Sequence, residues 1–271
     1  MFRALGGRSA AHAPVKFRIG GVPYGVGAPL LAGLESDPAV DFVREAPTKL
    51  IERLRAGDLD AALVSSIEAI RGHDYLAVPT LGIACKREIR SVRAFRRRSA
   101  SICTVGVDAS SATSVALLRL LLANVFARDV ASDVRFETIA PTRSPDTLPH
   151  DLVMLIGDAG LEADPGAREV WDLGREWCQW TGLPFVFALW ILRPDADVHA
   201  LVPVLHAARE RGRRLGPVDG TAGKAHYELD DDDRRGLLRF WAECRARGLA
   251  TGADPRFTPL STASTATRAT R

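Results

Sequence analysis

The sequence predicts an α/β protein of two lobes, with mixed, mostly parallel sheets and a central cleft. Short apolar runs typical of strands alternate with segments of helical apolar spacing, and this alternation favours parallel sheets covered by helices. The chain has 271 residues, of which 46% are hydrophobic and 25% charged, enough for one large domain or two lobes of ordinary size. Both ends lack hydrophobic periodicity, so we expect a flexible tail at 1–15 and a disordered tail at 254–271.

The first third of the chain predicts three strands separated by two helices. The first helix starts at Pro29, a residue favoured in the first turn, and the second has apolar residues three to four apart. The predicted strands are 17–20, 40–43 and 60–64, and the predicted helices are 29–34 and 47–54.

The rest of the chain continues the alternation. One helix, 113–126, is apolar on nearly every face, which predicts burial on several sides. Another, 231–247, opens with acidic residues that suit a helix N-terminus. The predicted strands are 91–94, 102–107, 134–139, 152–156 and 185–192, and the remaining predicted helix is 200–211.

Composition and motifs exclude several classes of function. The net charge of +3 is spread along the chain, and we interpret its densest arginine clusters, 93–98 and 209–214, as solvated surface, so no nucleic-acid partner is expected. The longest apolar run, 183–192, is too short to span a membrane, and no secretion signal is visible, which favours a cytoplasmic protein with free thiols. No metal-ligand spacing, P-loop or dinucleotide fingerprint occurs, so neither a metal nor a cofactor is expected.

Hydroxyl side chains follow two of the predicted strands, where parallel sheets place ligands. Ser65 and Ser66 follow the third strand, and Ser111, Thr113 and Ser114 come at the start of the buried helix. Such residues are the preferred helix caps. The same helix starts also attract anions, and two clusters at separate strand ends favour a carboxylate or phosphate ligand.

Three further features each have two interpretations. The glycine-rich loop 22–29 can be an ordinary turn or a close approach to a ligand. Asp158 follows a buried strand and can accept from a ligand hydroxyl or cap the next segment. The tryptophans at 177, 180 and 190 can form core or the wall of a ring-binding cleft.

The ordered combination of several motifs resembles the chorismate dehydratase family of the futalosine route to menaquinone. The resemblance runs from about 17 to 249, and its most specific segments are SATSV (111–115), LIGD (155–158) and TGLPFVFALW (181–190). It implies a type 2 periplasmic-binding-protein fold, with 16–99 and 188–253 as lobe one and 100–187 as lobe two. It also implies a carbon–oxygen lyase that dehydrates chorismate to 3-[(1-carboxyvinyl)oxy]benzoate.

The resemblance further implies the roles of individual residues. Ser91 matches a serine near the reacting ring and is expected to be a hydrogen-bonding catalytic residue. A small-molecule carboxylate is the expected partner, without cofactor, nucleic acid or membrane. The expected substrate-binding residues are Tyr24, Val26, Ser65, Ser66, Ser111, Thr113, Ser114 and Asp158.

The chain departs from this family in its first loop. The family reads Leu-Asn where this chain has Gly25 and Val26, and the loss of one positioned donor can cost ~10²–10³ in rate. Three interpretations stay open: an active chorismate dehydratase, a relative that binds a small cyclic carboxylate with lost or changed chemistry, and a solute receptor of a transporter.

Overall fold

The computed structural model describes residues 16–98, 101–215, 225–252 and 254–259. The described strands, in chain order, are β1 (Phe17–Gly21), β2 (Val40–Arg44), β3 (Ala61–Ser65), β4 (Leu76–Cys85), β5 (Val92–Arg96), β6 (Ile102–Val107), β7 (Val130–Thr138), β8 (Leu152–Ile156), β9 (Glu169–Asp172), β10 (Phe185–Leu192), β11 (His226–Glu228) and β12 (Arg256–Phe257). The described α-helices are α1 (Ala28–Leu31), α2 (Pro47–Ala56), α3 (Ala112–Asn124), α4 (Gly157–Glu162), α5 (Leu173–Thr181), α6 (Val198–Arg214) and α7 (Asp231–Ala246).

The strands form two sheets, which are the two lobes that the sequence predicts. The first sheet has the order β11-β4-β10-β3-β1-β2, with β12 also paired to β4, and the second has the order β7-β6-β8-β5-β9. Five of the ten described strand pairings are parallel and five are antiparallel. The sheets are therefore mixed, with more antiparallel pairing than the strand–helix alternation predicts.

The chain crosses between the sheets twice. It leaves the first sheet after β4 and enters the second at β5, and it returns between α5 and β10. The predicted lobe boundaries differ from this sheet membership. Strand β5 lies within 16–99 but belongs to the second sheet, and the first residues of β10 lie within 100–187 but belong to the first. Apolar periodicity predicts strands and helices but not which sheet a strand joins, so it does not locate either crossing.

The sequence analysis assigned no element to the segment that forms β4. This strand is ten residues long and lies between β10 and β11. Both of its faces are mostly buried, so its residues show no polar alternation, and Pro79 and Gly82 interrupt it with residues typical of turns. The strand β9 and the helix α5 were also not assigned from periodicity.

The C-terminal residues correct a second prediction. Residues 254–259 lie in the predicted disordered tail, yet Arg256 and Phe257 pair with β4 in parallel. The Thr258 amide donates to the Ala77 carbonyl at 3.0 Å, and Thr258 is buried. The predicted tail at 1–15 lies outside the described residues.

The arginine cluster at 93–98 is less solvated than the sequence predicts. Arg93 is half-buried and donates to the carbonyls of Gly160, Leu161 and Ala163. It therefore joins the end of α4 to β5.

Within the described ranges, no helix combines the length and the apolarity that a membrane span requires.

Candidate active site

A cavity that encloses about 510 Å³ of empty space, part of it open to solvent, lies between the two sheets. Both lobes contribute to its walls, because its lining comes from β3, β4 and β10 on one side and from β5, β8 and the start of α3 on the other. The lining residues are Val22, Tyr24, Val26, Pro47, Val64, Ser65, Ile83, Ile89, Ser91, Val92, Ser111, Ser114, Ile156, Gly157, Phe187 and Ala188.

Four serines bring hydroxyl groups to this cavity, and local structure fixes each of them. Ser65 ends β3, Ser91 directly precedes β5, and Ser111 is the N-cap of α3. The Ser111 hydroxyl accepts from the Ser114 amide at 3.3 Å and from the Ser114 hydroxyl at 3.0 Å. The first turn of α3 therefore begins at the cavity, where a helix N-terminus favours negative charge.

Hydrogen bonds between the lobes surround these serines. The hydroxyls of Ser65 and Ser111 lie 3.4 Å apart, and those of Ser66 and Thr113 lie 3.3 Å apart. Thr113 also accepts from the Ile67 amide at 3.1 Å. All three contacts join the end of β3 to the start of α3, so they hold the two lobes together at the base of the cavity.

The first loop closes the cavity from the side of lobe one. Residues Gly25–Gly27 form a short 3-10 helix, and both Tyr24 and Val26 line the cavity. Gly157 faces Tyr24 from lobe two with φ 60, and a methyl group added there would lie 2.8 Å from the tyrosine ring. The tyrosine ring and this glycine therefore meet across the mouth of the cleft.

The cavity contains hydroxyl groups but little charge. Of its described lining residues, none is Asp, Glu, Lys, Arg or His. Burial raises the pKa of the Tyr24 phenol above its usual value, and the nearby charges of Asp108 and Asp158 raise it further. Tyr24 is therefore a neutral hydrogen-bonding group near pH 7. Within the described ranges, no three His, Cys, Asp or Glu side chains are grouped so that they could hold a metal ion.

The structure brings six of the nine predicted site residues into the cavity wall. They are Tyr24, Val26, Ser65, Ser91, Ser111 and Ser114. Ser66 and Thr113 do not line it: both are fully buried and bond across the lobes, with Ser66 also donating to the Val186 carbonyl at 2.8 Å.

Asp158 also lies outside the wall. It is half-buried in the first turn of α4, whose N-cap residue makes no side-chain cap bond. Asp158 is not the N-cap of α4, because Ile156 holds that position, and its contact with a ligand stays a prediction. Its charge acts instead on Tyr24, through the effect on the tyrosine pKa.

The tryptophans belong to the core. Trp177 and Trp190 are fully buried, and the Trp177 indole donates to the Pro184 carbonyl at 3.0 Å. The aromatic residues that do line the cavity are Tyr24 and Phe187, the latter three residues before Trp190 on β10.

Sequence reasoning did not identify the apolar wall. Val64, Ile83, Ile89, Val92, Ile156 and Phe187 line the cavity but have the same residue types as the core around them. No local signal separates a side chain that faces a cleft between two sheets from one that faces a covering helix. Which side chains face the cleft depends on how the two sheets face each other.

Solved structures show the same fold. A transporter protein from Parabacteroides distasonis matches with a TM-score of 0.56 at 13% identity, covering 92% of this chain and all of that one. The periplasmic aliphatic sulphonate binding protein of Escherichia coli matches with a TM-score of 0.54 at 14% identity, covering 88% of this chain and 94% of that one. At such identities the likeness concerns the fold alone, which is that of the periplasmic binding proteins.

Sequence comparison identifies the family. The chorismate dehydratase of Thermus thermophilus is 30% identical over 285 residues, which cover 88% of this chain and 99% of that protein. A family model described as menaquinone biosynthesis matches residues 17–217, a range that includes every cavity-lining residue named above. The chain therefore belongs to the menaquinone biosynthesis family.

Proposed function

We propose that the protein is a chorismate dehydratase, a hydro-lyase of menaquinone biosynthesis by the futalosine route. Its substrate would be chorismate and its products 3-[(1-carboxyvinyl)oxy]benzoate and water. The observation that carries the proposal is the convergence of Tyr24 and four serines, from both lobes, on one cavity without charged lining. The family membership and the dehydratase relative support it.

The cavity suits a ligand with two carboxylates. One carboxylate would bind at the start of α3, where Ser111 and Ser114 offer hydroxyls beside the helix N-terminus. The other would bind near Ser65, which precedes a short helical turn at Ser66–Ile70. Such sites hold anions through N–H dipoles and hydroxyl donors, without a cationic side chain. The apolar wall would hold the ring between them.

The reaction needs little from an ionisable residue. A ring C–H bond breaks, its electron pair forms the last double bond of the aromatic ring, and the neighbouring hydroxyl leaves and takes up a proton as water. A carboxylate of the substrate can accept the ring proton. Ser91 would donate a hydrogen bond to the departing hydroxide, so that its developing charge is stabilised. Aromatisation supplies the driving force, and the enzyme mainly positions the ring.

Incubation of the purified protein with chorismate tests the proposal. An aromatic product of the expected mass should accumulate, and Ser91→Ala should lower kcat by ~10²–10³-fold, as expected for the loss of one positioned donor. Ser36→Ala is the matched control, because Ser36 is exposed, does not line the cavity and donates to the Gly33 carbonyl at 3.3 Å. Absence of any product from the wild-type protein would reject the proposal.

A second candidate function rests on Val26. The cavity lining of the described chain contains no carboxamide side chain, and the family resemblance implies an Asn at the position of Val26. A relative that binds a small cyclic carboxylate without dehydrating it fits this substitution. Calorimetric binding of chorismate without product formation would favour this second function.

The third interpretation, a solute receptor of a transporter, has only the likeness of fold behind it. The cytoplasmic location stays a prediction from the sequence.

A further inference from the structure

Ser91 follows an unusual turn in the segment that carries the chain from lobe one to lobe two. The Ser91 amide donates to the Ile89 carbonyl at 2.8 Å, which closes a three-residue turn centred on Arg90. Arg90 has φ 63, a left-handed conformation that is costly for a residue with a side chain. Because Ile89 and Ser91 both line the cavity, this turn decides where the Ser91 hydroxyl lies.

A buried carboxylate on another element holds the turn. Asp172 is 4% exposed and ends β9. Its Oδ2 accepts from the Arg90 amide at 2.6 Å, and both of its oxygens accept from the Ile89 amide, at 3.1 and 3.2 Å. Two consecutive amides of the crossing segment therefore point at one carboxylate. Such charge-assisted hydrogen bonds are the stronger ones in proteins.

The same carboxylate also begins a helix. Asp172 is the N-cap of α5, and its Oδ1 accepts from the Arg175 amide at 3.0 Å. Oδ1 therefore accepts from the helix amide of Arg175 and from Ile89, whereas Oδ2 accepts from Arg90 and Ile89. Asp172 lies outside the cavity wall, so any effect on a ligand must pass through the turn.

We propose that Asp172 is a positioning residue, which fixes the Ser91 hydroxyl by holding the strained turn at Arg90. This role rests on the proposed dehydratase function of Ser91. Without the acceptor at Oδ2, the turn loses the contact that offsets its strain, and Arg90 relaxes toward an ordinary backbone conformation. The Ser91 hydroxyl then shifts from the reacting ring, and displacements near 1 Å can cost ~10²-fold in rate.

The test is Asp172→Asn, which removes one acceptor and keeps the other. Asn is as good an N-cap as Asp, so its oxygen can still cap α5 while its NH₂ group faces the Arg90 amide. We expect kcat for chorismate to fall about 10–100-fold, with KM changed by less than about twofold, since the carboxylate-binding hydroxyls are untouched. Asp197→Asn is the matched control: Asp197 caps α6 through the Ala200 amide at 3.1 Å and is exposed.

A double variant separates positioning from general support of the fold. If Asp172 acts through Ser91, Asp172→Asn costs no more than Ser91→Ala and lowers the rate of Ser91→Ala no further, because the group that it positions is already gone. Additive losses in the double variant, an increase in KM without loss of kcat, or unchanged kinetics would each overturn the proposal. If Asp172→Asn does not fold, Asp172→Ser replaces it, since Ser caps a helix but is too short to reach the turn as well.

Amide hydrogen exchange distinguishes failure of this inference from failure of the proposed function. If the wild-type protein does not convert chorismate, the dehydratase function is rejected, and exchange at Ile89 and Arg90 still tests the turn. Exchange there at least about tenfold faster in Asp172→Asn, with Asp197→Asn unchanged at the same amides, supports the hold of Asp172 on the turn. Unchanged exchange overturns it.

Discussion

Val26 brings two methyl groups to a cavity in which every polar lining side chain of the described chain carries a hydroxyl group. If a missing amide limits turnover, Val26→Asn should raise kcat, by up to ~10²–10³-fold for one well-placed donor. Val22→Asn is the matched control, because Val22 is also buried and lines the same cavity four residues earlier in the chain. Steady-state kinetics with chorismate check both. Equal rates for Val26→Asn and the wild type would remove the amide as an explanation.

The pH dependence of turnover follows from the lining residues. Tyr24 is the one ionisable side chain among them in the described chain, and burial raises its pKa. A raised tyrosine pKa keeps the phenol protonated below its ordinary value near 10, so no lining group changes charge between about pH 6 and about pH 8. We expect a flat kcat over this range. A steep bell with a pKa near 7 would show that a group outside the wall acts as base.

Gly157 is expected to matter for both stability and substrate binding. Gly157→Ala brings a methyl group to 2.8 Å from the Tyr24 ring and strains a backbone at φ 60. Gly182→Ala is the control, since Gly182 has φ 71 but nothing within 4 Å of an added methyl group. Denaturant unfolding should show a loss of ~1–2 kcal/mol from the left-handed backbone in both variants. An increase in KM should occur with Gly157→Ala alone; its absence would show that Tyr24 does not contact the substrate.

At the scale of the element, Ser111 caps α3 and, in the proposed function, also binds the ligand. Ser111→Ala removes the side-chain cap and should lower the free energy of unfolding by about 1 kcal/mol. It also removes a hydroxyl from the cavity, so we expect KM to rise, by about tenfold for one lost hydrogen bond to a charged group. Asp197→Ala removes the cap of α6 without approaching the cavity. Equal KM effects in the two variants would contradict a binding role of α3.

The strands show which elements the sequence can predict. The predicted strands 102–107, 152–156 and 185–192 agree with β6, β8 and β10 residue for residue, because each is a mostly apolar run with clear ends. The five predicted helices are found with errors of zero to three residues at each end, where capping and fraying compete. β4 is missed because its pairing with β10 and β11 overrides the turn preference of Pro79 and Gly82.

The site was predictable to the extent that it depends on strand ends. Ser65 and Ser111 lie at or just after strand ends, where α/β sheets place ligands, and the structure puts their hydroxyls 3.4 Å apart although β3 and β6 belong to different sheets. Ser66 and Thr113 are one and two residues further along the chain and also bond across the lobes, but they lie outside the cavity wall. A single residue of register separates a side chain in the cavity wall from one beneath it, and sequence spacing does not resolve that difference.

For the whole molecule, the packing predicts cooperative unfolding. One hydrophobic cluster contains residues of both sheets, such as Ile19 and Val105. Arg247, the C-cap residue of α7, also donates to Asn124 of α3 at 2.7 Å. We expect a single thermal transition, with the same midpoint by tryptophan fluorescence and by circular dichroism. Two separated transitions would show that the lobes unfold independently.

Thr113→Val tests how much the contacts between the lobes contribute. It keeps the shape of the side chain but leaves the buried Ile67 amide without its acceptor, which should cost ~1–3 kcal/mol. The midpoint should fall while the transition stays single. A ligand at a hundred times its Kd should raise the midpoint, because it adds about 2.7 kcal/mol to the free energy of unfolding.

The uncharged wall of the cavity determines how ligand affinity depends on salt concentration. Mobile ions weaken attraction between full charges over distances of about 8–10 Å, but they have little effect on short hydrogen bonds made inside an enclosed cleft. A dianion held by hydroxyls and backbone dipoles should therefore be bound almost equally well in dilute and in concentrated salt. A pocket built on arginines would lose affinity steadily as the ionic strength increases.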